Sequence, residues 1–298
     1  MKLTHPILGL FFLCIISFFA ESIFAQKLAD QADSLVSITL KDGTTLIGKI
    51  IEEDEVNITF LTSGGVEAKI PKSSVDFIKP FRGKVVEGKI YRFDPNYARL
   101  MFTPTGRPLG EGHGYFSDLY IFFPGIAYGI TDNVSFLAGF SISPFIGIKD
   151  QIFYIATKVG GEVSEKFAVS GGALYSSFPG EFSAGIVYAV GTCGRHDGSV
   201  TGGIGFGYSK DGSGDFEFSE NPVIMLGANV RLSNSIAFLS ENWIITGERV
   251  DFGDQPKGLA IRFFGDRIAF DLGVILIGSV LEEGFPIPWL SVAYHFGR

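Results

Sequence analysis

Histidine and cysteine are the residues through which a chain most readily does proton transfer, nucleophilic attack or metal binding, and this 298-residue chain has four of the first and two of the second. His113 stands in Gly110-Glu111-Gly112-His113-Gly114, the composition of a solvated loop. His196 stands in Gly194-Arg195-His196-Asp197-Gly198, that of a tight turn. His295 shares a strand face with Ser291, which sets a base near a hydroxyl, but nucleophilic catalysis also needs a group that orients the base and the local sequence offers none. No Cys or His spacing matches a metal site. Cys193 reads as a small structural thiol. The glycines of residues 201–207 could imitate a phosphate loop, but such a loop leads into a helix whose N-terminus meets the phosphates. Here Phe206-Gly207-Tyr208 continues as a strand. No cofactor, metal or enzymatic activity is expected.

More telling is a set of polar and charged residues on late segments: Asn229, Arg231, Glu241, Arg262, Asp271 and His295. Each sits opposite the apolar face of its segment, and charges of both signs stand on neighbouring segments.

The elements that would hold them show a period of two, the signature of strands. Val134, Phe136, Ala138, Phe140 and Ile142 alternate with Ser135, Leu137, Gly139 and Ser141. Phe167, Val169, Ala173 and Tyr175 face away from Ala168, Ser170, Gly172 and Ser176. Val200, Ile204, Phe206 and Tyr208 face away from Thr201, Gly203, Gly205, Gly207 and Ser209. At the end of the chain Leu290, Val292, Tyr294 and Phe296 oppose Ser291, Ala293 and His295. Ser240-Glu241-Asn242-Trp243 breaks the alternation and reads as a bulge.

A five-residue turn recurs along this region: Ile130-Thr131-Asp132-Asn133-Val134, Val163-Ser164-Glu165-Lys166-Phe167, Leu232-Ser233-Asn234-Ser235-Ile236 and Phe264-Gly265-Asp266-Arg267-Ile268. Their starts are separated by 33, 69 and 32 residues, so one unit is missing, and residues 194–198 supply it. One tight turn per pair of strands is an up-and-down meander. Counting along it gives about twelve strands, at 98–103, 117–130, 133–142, 151–160, 165–176, 181–192, 198–209, 221–232, 234–245, 257–265, 267–278 and 288–297. The five turns and both termini then fall at one end, and residues 104–116, 210–220, 247–256 and 279–287 at the other.

Composition agrees. Thirty Phe and 39 Gly against 3 Met suit strands with bulky rings outside and small residues inside. A net charge of −8 without a basic stripe argues against nucleic acid. Residues 1–25 combine Lys2, an apolar stretch at 7–20 and Ala25 before Gln26, the layout of a cleaved secretory leader that also removes Cys14. No later stretch approaches the roughly 20 apolar residues of a membrane helix, so a membrane-spanning mature chain would cross with strands.

The meander and the near-terminal aromatic Phe296 resemble the bacterial outer-membrane β-barrels, whose last strand ends on an aromatic assembly signal; here Gly297 and Arg298 follow it. The resemblance implies outer-membrane lipid around residues 98–298, recognition by the barrel-assembly machinery, and a lumen holding the polar cluster. An Arg or Lys facing mid-bilayer lipid would cost about 2–4 kcal/mol. Such a cluster serves either as a selective constriction or as a salt-bridged closure that stiffens a narrow barrel, and the closure is the favoured reading.

Residues 35–79 are a separate block. Val36, Ile38 and Leu40 lead to Asp42-Gly43 and a segment at 46–51; Val56, Ile58 and Phe60 lead to Ser63-Gly64-Gly65, then Val66, Ala68, Ile70 and Pro71, with a last segment at 75–78. The Lys41-Asp42-Gly43 turn, the Gly-bent Ile47-Gly48-Lys49 and the late Ile70-Pro71 resemble the small Sm-like or SH3-like barrels. The resemblance implies a module that docks a periplasmic protein partner, oligomerises, or is purely structural. Residues 80–97, with Pro80, Arg82-Gly83 and Asp94-Pro95-Asn96, read as a linker.

The fold expected is therefore all-β, a small SH3/Sm-like barrel ahead of an antiparallel up-and-down transmembrane barrel. The function expected is structural or pore-forming. A barrel enzyme acting on outer-membrane lipid and a secreted soluble β-protein are the alternatives.

Overall fold

The computed structural model describes residues 35–81, 83–86, 89–144, 146–180, 182–212, 214–247, 251–282 and 284–297. The leader read at 1–25 lies outside the described residues. The chain divides between Tyr91 and Arg92 into two compact units.

The first unit contains β1 (Val36–Leu40), β2 (Thr45–Glu53), β3 (Asn57–Thr62), β4 (Glu67–Pro71) and β5 (Val75–Pro80), an antiparallel sheet in the order β4-β3-β2-β1-β5. A 3-10 turn, Lys72–Ser74, joins β4 to β5. Ile38, Ile58, Phe60 and Ile70 form its core. The first turn closes because Gly43 accepts a φ of +88° and the Asp42 carboxylate takes the Thr44 N–H at 2.8 Å. Asp54 Oδ1 accepts from the N–H groups of Asn57 at 2.6 Å and Val56 at 2.7 Å, and these bonds hold its carboxyl below the usual range. At Gly48 a Cβ would run into the Leu61 carbonyl, so β2 can bend over β3 only with glycine there. β6 (Gly83–Val86) and β7 (Lys89–Arg92) then pair as a two-stranded ribbon inside the expected linker.

The second unit is a ring of strands: β8 (Gly114–Leu119), β9 (Phe123–Gly129), β10 (Val134–Phe140), β11 (Phe153–Ser164), β12 (Phe167–Ser177), β13 (Ser183–Arg195) and β14 (Gly198–Lys210). After a two-residue strand on its edge, β15 (Glu217–Phe218), the ring continues with β16 (Val223–Arg231), β17 (Ile236–Ile245), β18 (Lys257–Phe264), β19 (Ile268–Leu276) and β20 (Ile287–Phe296). Each ring strand pairs antiparallel with its neighbours, β14 with β16, and β20 with β8 close the circle. The result is a closed barrel of twelve strands, with no edge left to pair.

Alternation sorts side chains as read from the sequence. Phe116, Phe136, Phe140, Phe167, Val200 and Ile204 are among the exposed outer residues, while Ser135, Ser141, Ala168, Ser170, Thr201 and Ser291 are buried inside. Bare glycine backbone is covered by neighbouring tyrosines. The Tyr154 ring lies over Gly139 and Gly125, and Tyr188 over Gly172.

Twelve strands are found, but not the same twelve. Residues 98–103 form no barrel strand, and the segment read as one strand over 117–130 is two, β8 and β9, folded back at Tyr120 and Ile121 with φ of 56° and 70°. The two differences cancel in the count. No bulge occurs at 240–243, because β17 keeps continuous register with both β16 and β18. Glu241 and Trp243 are simply successive inward positions. All five recurrent turns do lie together: residues 130–133, 165–166, 196–197, 232–235 and 265–267 join strands at the end that also carries Gly114 and Phe296.

Candidate functional site

The segment read as a linker and first strand lies inside the barrel. Asp94-Pro95-Asn96 starts it, with the Asn96 N–H donating to Asp94 Oδ1 at 2.9 Å. The chain then folds back on itself. Leu100 N–H donates to Thr103 O at 2.9 Å, Thr105 N–H to Ala98 O at 3.0 Å, and Arg99 bridges Pro104. Asn96, Ala98, Leu100, Met101, Thr103, Thr105 and Arg107 are all buried although none belongs to a strand.

A loop inside a barrel cannot use the strand ladder to satisfy its backbone, so side chains of the wall must do it. Glu241 Oε2 accepts three consecutive N–H groups, of Met101, Phe102 and Thr103, at 3.0, 3.0 and 2.9 Å, while its Oε1 takes the Trp243 indole N–H at 2.9 Å. Successive N–H groups aimed at one point make a concave anion site. Lys158 Nζ does the converse. It donates to the carbonyls of Arg107, Ala98 and Thr105 at 2.7, 3.1 and 3.3 Å, using all three of its protons. Ser170 Oγ donates to Thr105 O at 3.0 Å, and Thr192 Oγ1 accepts the Gly106 N–H at 2.9 Å. Gly106 is required there, since a Cβ would run into the Ala168 carbonyl.

Arg262 is the strongest tie. It is fully buried, and its Nε and Nη2 meet the two oxygens of Asp271 at 2.6 and 2.9 Å. Its Nη1 reaches Asp94 Oδ2 and Asn96 O, both at 2.9 Å, and Nη2 reaches Leu100 O at 2.7 Å. One guanidinium thus joins two neighbouring strands of the barrel, β18 and β19, to the internal segment in a fork geometry that only arginine offers. Asn229 Nδ2 adds a long contact to Asp94 Oδ2 at 3.4 Å, and Arg99 Nη2 donates to Ser291 Oγ at 2.8 Å.

The loop enters from the turn end and returns to it. Gly106 and Arg107 touch Thr192 and Gly194 O beside the 196–197 turn, whereas Met101 at the tip packs on Gly258, at the opposite end of β18. Residues 104–116 therefore do not form the far-end loop that the strand count implied. Residues 94–107 form a re-entrant plug that touches β11, β12, β13, β16, β17, β18 and β20.

Of the six residues singled out in the sequence, Asn229, Glu241, Arg262 and Asp271 meet around this plug. His295 is buried against the Tyr115 ring, 5.2 Å between centroids. Arg231 stands at the turn end, stacked 5.0 Å over Phe264 with Nη1 3.4 Å from Ser233 O and Asn234 O, outside the cluster. Asp94, Arg99 and Lys158 are partners that the sequence reading missed. His196 packs between the rings of Phe93 and Tyr97 at 5.0 and 5.4 Å. Among the described residues no group of His, Cys, Asp and Glu is placed to hold a metal ion.

Beside the plug a cavity of about 430 Å³ is left along the opposite wall. Its sides are Leu137, Tyr154, Ala156, Leu174, Ile186 and Tyr188; Ala98, Leu109 and Tyr115 lie at its turn end, Phe123, Phe178 and Trp243 at its loop end.

A closed ring with an even number of strands, an apolar outside, and mid-strand charges such as Lys158, Glu241, Arg262 and Asp271 on the inside is the architecture by which β-strands cross a membrane. The second unit is an outer-membrane-type β-barrel. No protein-family model matches the chain, and no curated protein matches it. Among solved structures the barrel is similar to a KdgM porin in complex with disordered oligogalacturonate, at 8% identity and a TM-score of 0.45, over 62% of this chain and 98% of that one. A second structure of the KdgM porin aligns at 8% identity and 0.44 over the same shares. A structure titled "Asymmetric conductivity of engineered proteins" aligns at 15% identity and 0.31, over 58% of this chain and 55% of that one.

Proposed function

We propose that this chain is a pore-type barrel of the bacterial outer membrane whose lumen is closed at rest by its own residues 94–107, with the small domain in the periplasm. The observation that carries the closure is Arg262, fully buried and tied to Asp94 of the plug and Asp271 of the wall. A hydrated channel has no reason to dehydrate a guanidinium and two carboxylates, whereas a plug needs a fixed anchor. Orientation follows from the short turns, which in such barrels face the periplasm. The polypeptide enters the barrel at that end. The reading implies outer-membrane lipid around the belt, the barrel-assembly machinery at folding, and a periplasmic protein partner on the five-stranded unit. The reading assigns no enzymatic role, and Ser291 Oγ, the hydroxyl nearest His295 in sequence, accepts a hydrogen bond from Arg99 Nη2.

Two results test it. In planar bilayers Glu241→Gln should convert a mostly closed protein into one with frequent brief openings, because bonds to a charged acceptor contribute about 1.5–3 kcal/mol and every 1.4 kcal/mol is roughly tenfold in the open fraction. An unchanged open fraction in Glu241→Gln would mean the plug tip is not held by that charge. For orientation, an epitope inserted at Ser63-Gly64-Gly65 should be reached by antibody only after the outer membrane is permeabilised. Labelling on intact cells would invert the topology.

A further inference from the structure

The two halves of the lumen have opposite chemistry. Inward positions of β16 to β20 carry Asn229, Glu241, Arg262, Asp271 and Ser291, and the plug lies against them. Towards the turn end the inward positions of β11 to β13 carry Lys158, Ser170 and Thr192, which hold the plug, and Leu137 of β10 packs on Ala98 and Leu109; beyond them Ala156, Leu174 and Ile186, with the tyrosines of 154 and 188, line open space. Lumen faces of water-filled barrels are polar, so an apolar wall beside an empty volume is not built for ions or sugars. The charged groups at its margin are already engaged, Lys158 giving its three protons to plug carbonyls and Arg99 donating to Ser291 Oγ, and what else lines it is neutral: the hydroxyls of Ser117, Ser135, Ser176, Tyr154 and Tyr188. Little is left to recognise a charged head.

We propose that this half of the lumen binds a single hydrocarbon chain. The volume of about 430 Å³ lies in the range of small-molecule sites, which are mostly apolar with few polar groups. Its elongated course, from Leu109 and Tyr115 at the turn end to Phe178 and Trp243 at the loop end, suits a chain lying along the barrel axis rather than a compact ring system. The plug forms one side of the site through Ala98, Phe102 and Pro104, so chain binding and plug position are linked. This assignment needs the closed barrel and its plug, but not conductance or membrane orientation.

The protein carries its own reporter. It has two tryptophans, of which Trp243 lines the cavity and Trp289 is buried against Met101 and Leu239. With Trp289→Phe in lipid nanodiscs, Trp243 emission is titrated with a terminally brominated undecanoic acid, and separately measured in discs of phosphatidylcholine brominated on its chains. Saturable quenching by the free acid, lost in Ala156→Phe and in Ser176→Phe, is expected if chains arrive from solution. Quenching by the brominated phospholipid, lost in the same two variants, would place the source in the bilayer and equally support the site. Quenching by neither, or quenching that both filled variants retain, overturns it. Heat-modifiable gel migration shows that each variant is folded. A silent Trp243 in a folded, non-conducting protein would refute the chain site while leaving the plugged barrel intact.

Discussion

Replacing Arg262 with alanine should cost about 3–5 kcal/mol of barrel stability, because it leaves the Asp94 and Asp271 carboxylates buried without their cation. The loss has two routes. If the plug stays, both charges remain dehydrated and the barrel's unfolding midpoint in urea falls. If the plug leaves, water reaches Asp271, stability partly recovers and the lumen conducts. Lysine at the same place should rescue little, since an ammonium cannot serve Asp271 with two bonds and still reach Asp94 and the carbonyls of Asn96 and Leu100. Methionine at 262 combined with Asp94→Asn and Asp271→Asn should come closer to the parent, because exchanging a whole buried ionic set for uncharged groups is often neutral. A single Arg262→Ala variant as stable as the parent would remove the anchor from the account. Urea titration followed by heat-modifiable gel migration separates these outcomes.

Excising residues 96–106 should have the larger functional effect. The barrel's ladder is closed without them, since no ring strand uses the segment as a hydrogen-bonding neighbour. What disappears is the contact of residues 96–106 with β11, β12, β13, β16, β17, β18 and β20, leaving Lys158, Arg262, Glu241 and Asp271 facing water. The wall groups released are two cations and two carboxylates, and the retained Asp94 and Arg107 add one charge of each sign, so the pore should conduct with weak preference between cations and anions. Exposing Lys158 and Glu241 to water removes the penalty of burial. The excised barrel should therefore remain folded while small hydrophilic solutes leak from liposomes that hold it.

The parts of this design visible in the sequence are those written as local chemistry. Turns such as Thr131-Asp132-Asn133 and Gly265-Asp266-Arg267 carry short polar residues, and alternation such as Val134-Ser135-Phe136 marks which side meets lipid, so strand ends and faces could be read directly. Arg262 and Asp271 were visible as inward charges on neighbouring segments, and in the barrel they face each other on adjacent strands. The turn at residues 120–122 was not. It is Tyr-Ile-Phe, without glycine or asparagine, and its positive φ angles are sustained by tertiary packing, with Tyr120 set against Trp289 at 5.5 Å. The plug was hidden for a related reason. Ala98, Leu100 and Phe102 alternate with Arg99 and Met101 as a strand would, yet the N–H groups of Met101, Phe102 and Thr103 all donate to one carboxylate oxygen of Glu241, more than a hundred residues away. Apolar alternation signals burial on one side; it does not distinguish a wall from what fills it. Glu241 looked like a bulge because its reason for facing inward lies on the plug rather than in its own strand.

The most direct measurement is single-channel conductance of the intact protein and of the variant lacking residues 96–106, in planar bilayers under identical salt. The account predicts an intact protein that is closed for most of the record, and a shortened one that is steadily open with little charge selectivity. An intact protein that conducts steadily, or a folded shortened one that stays closed, would contradict it.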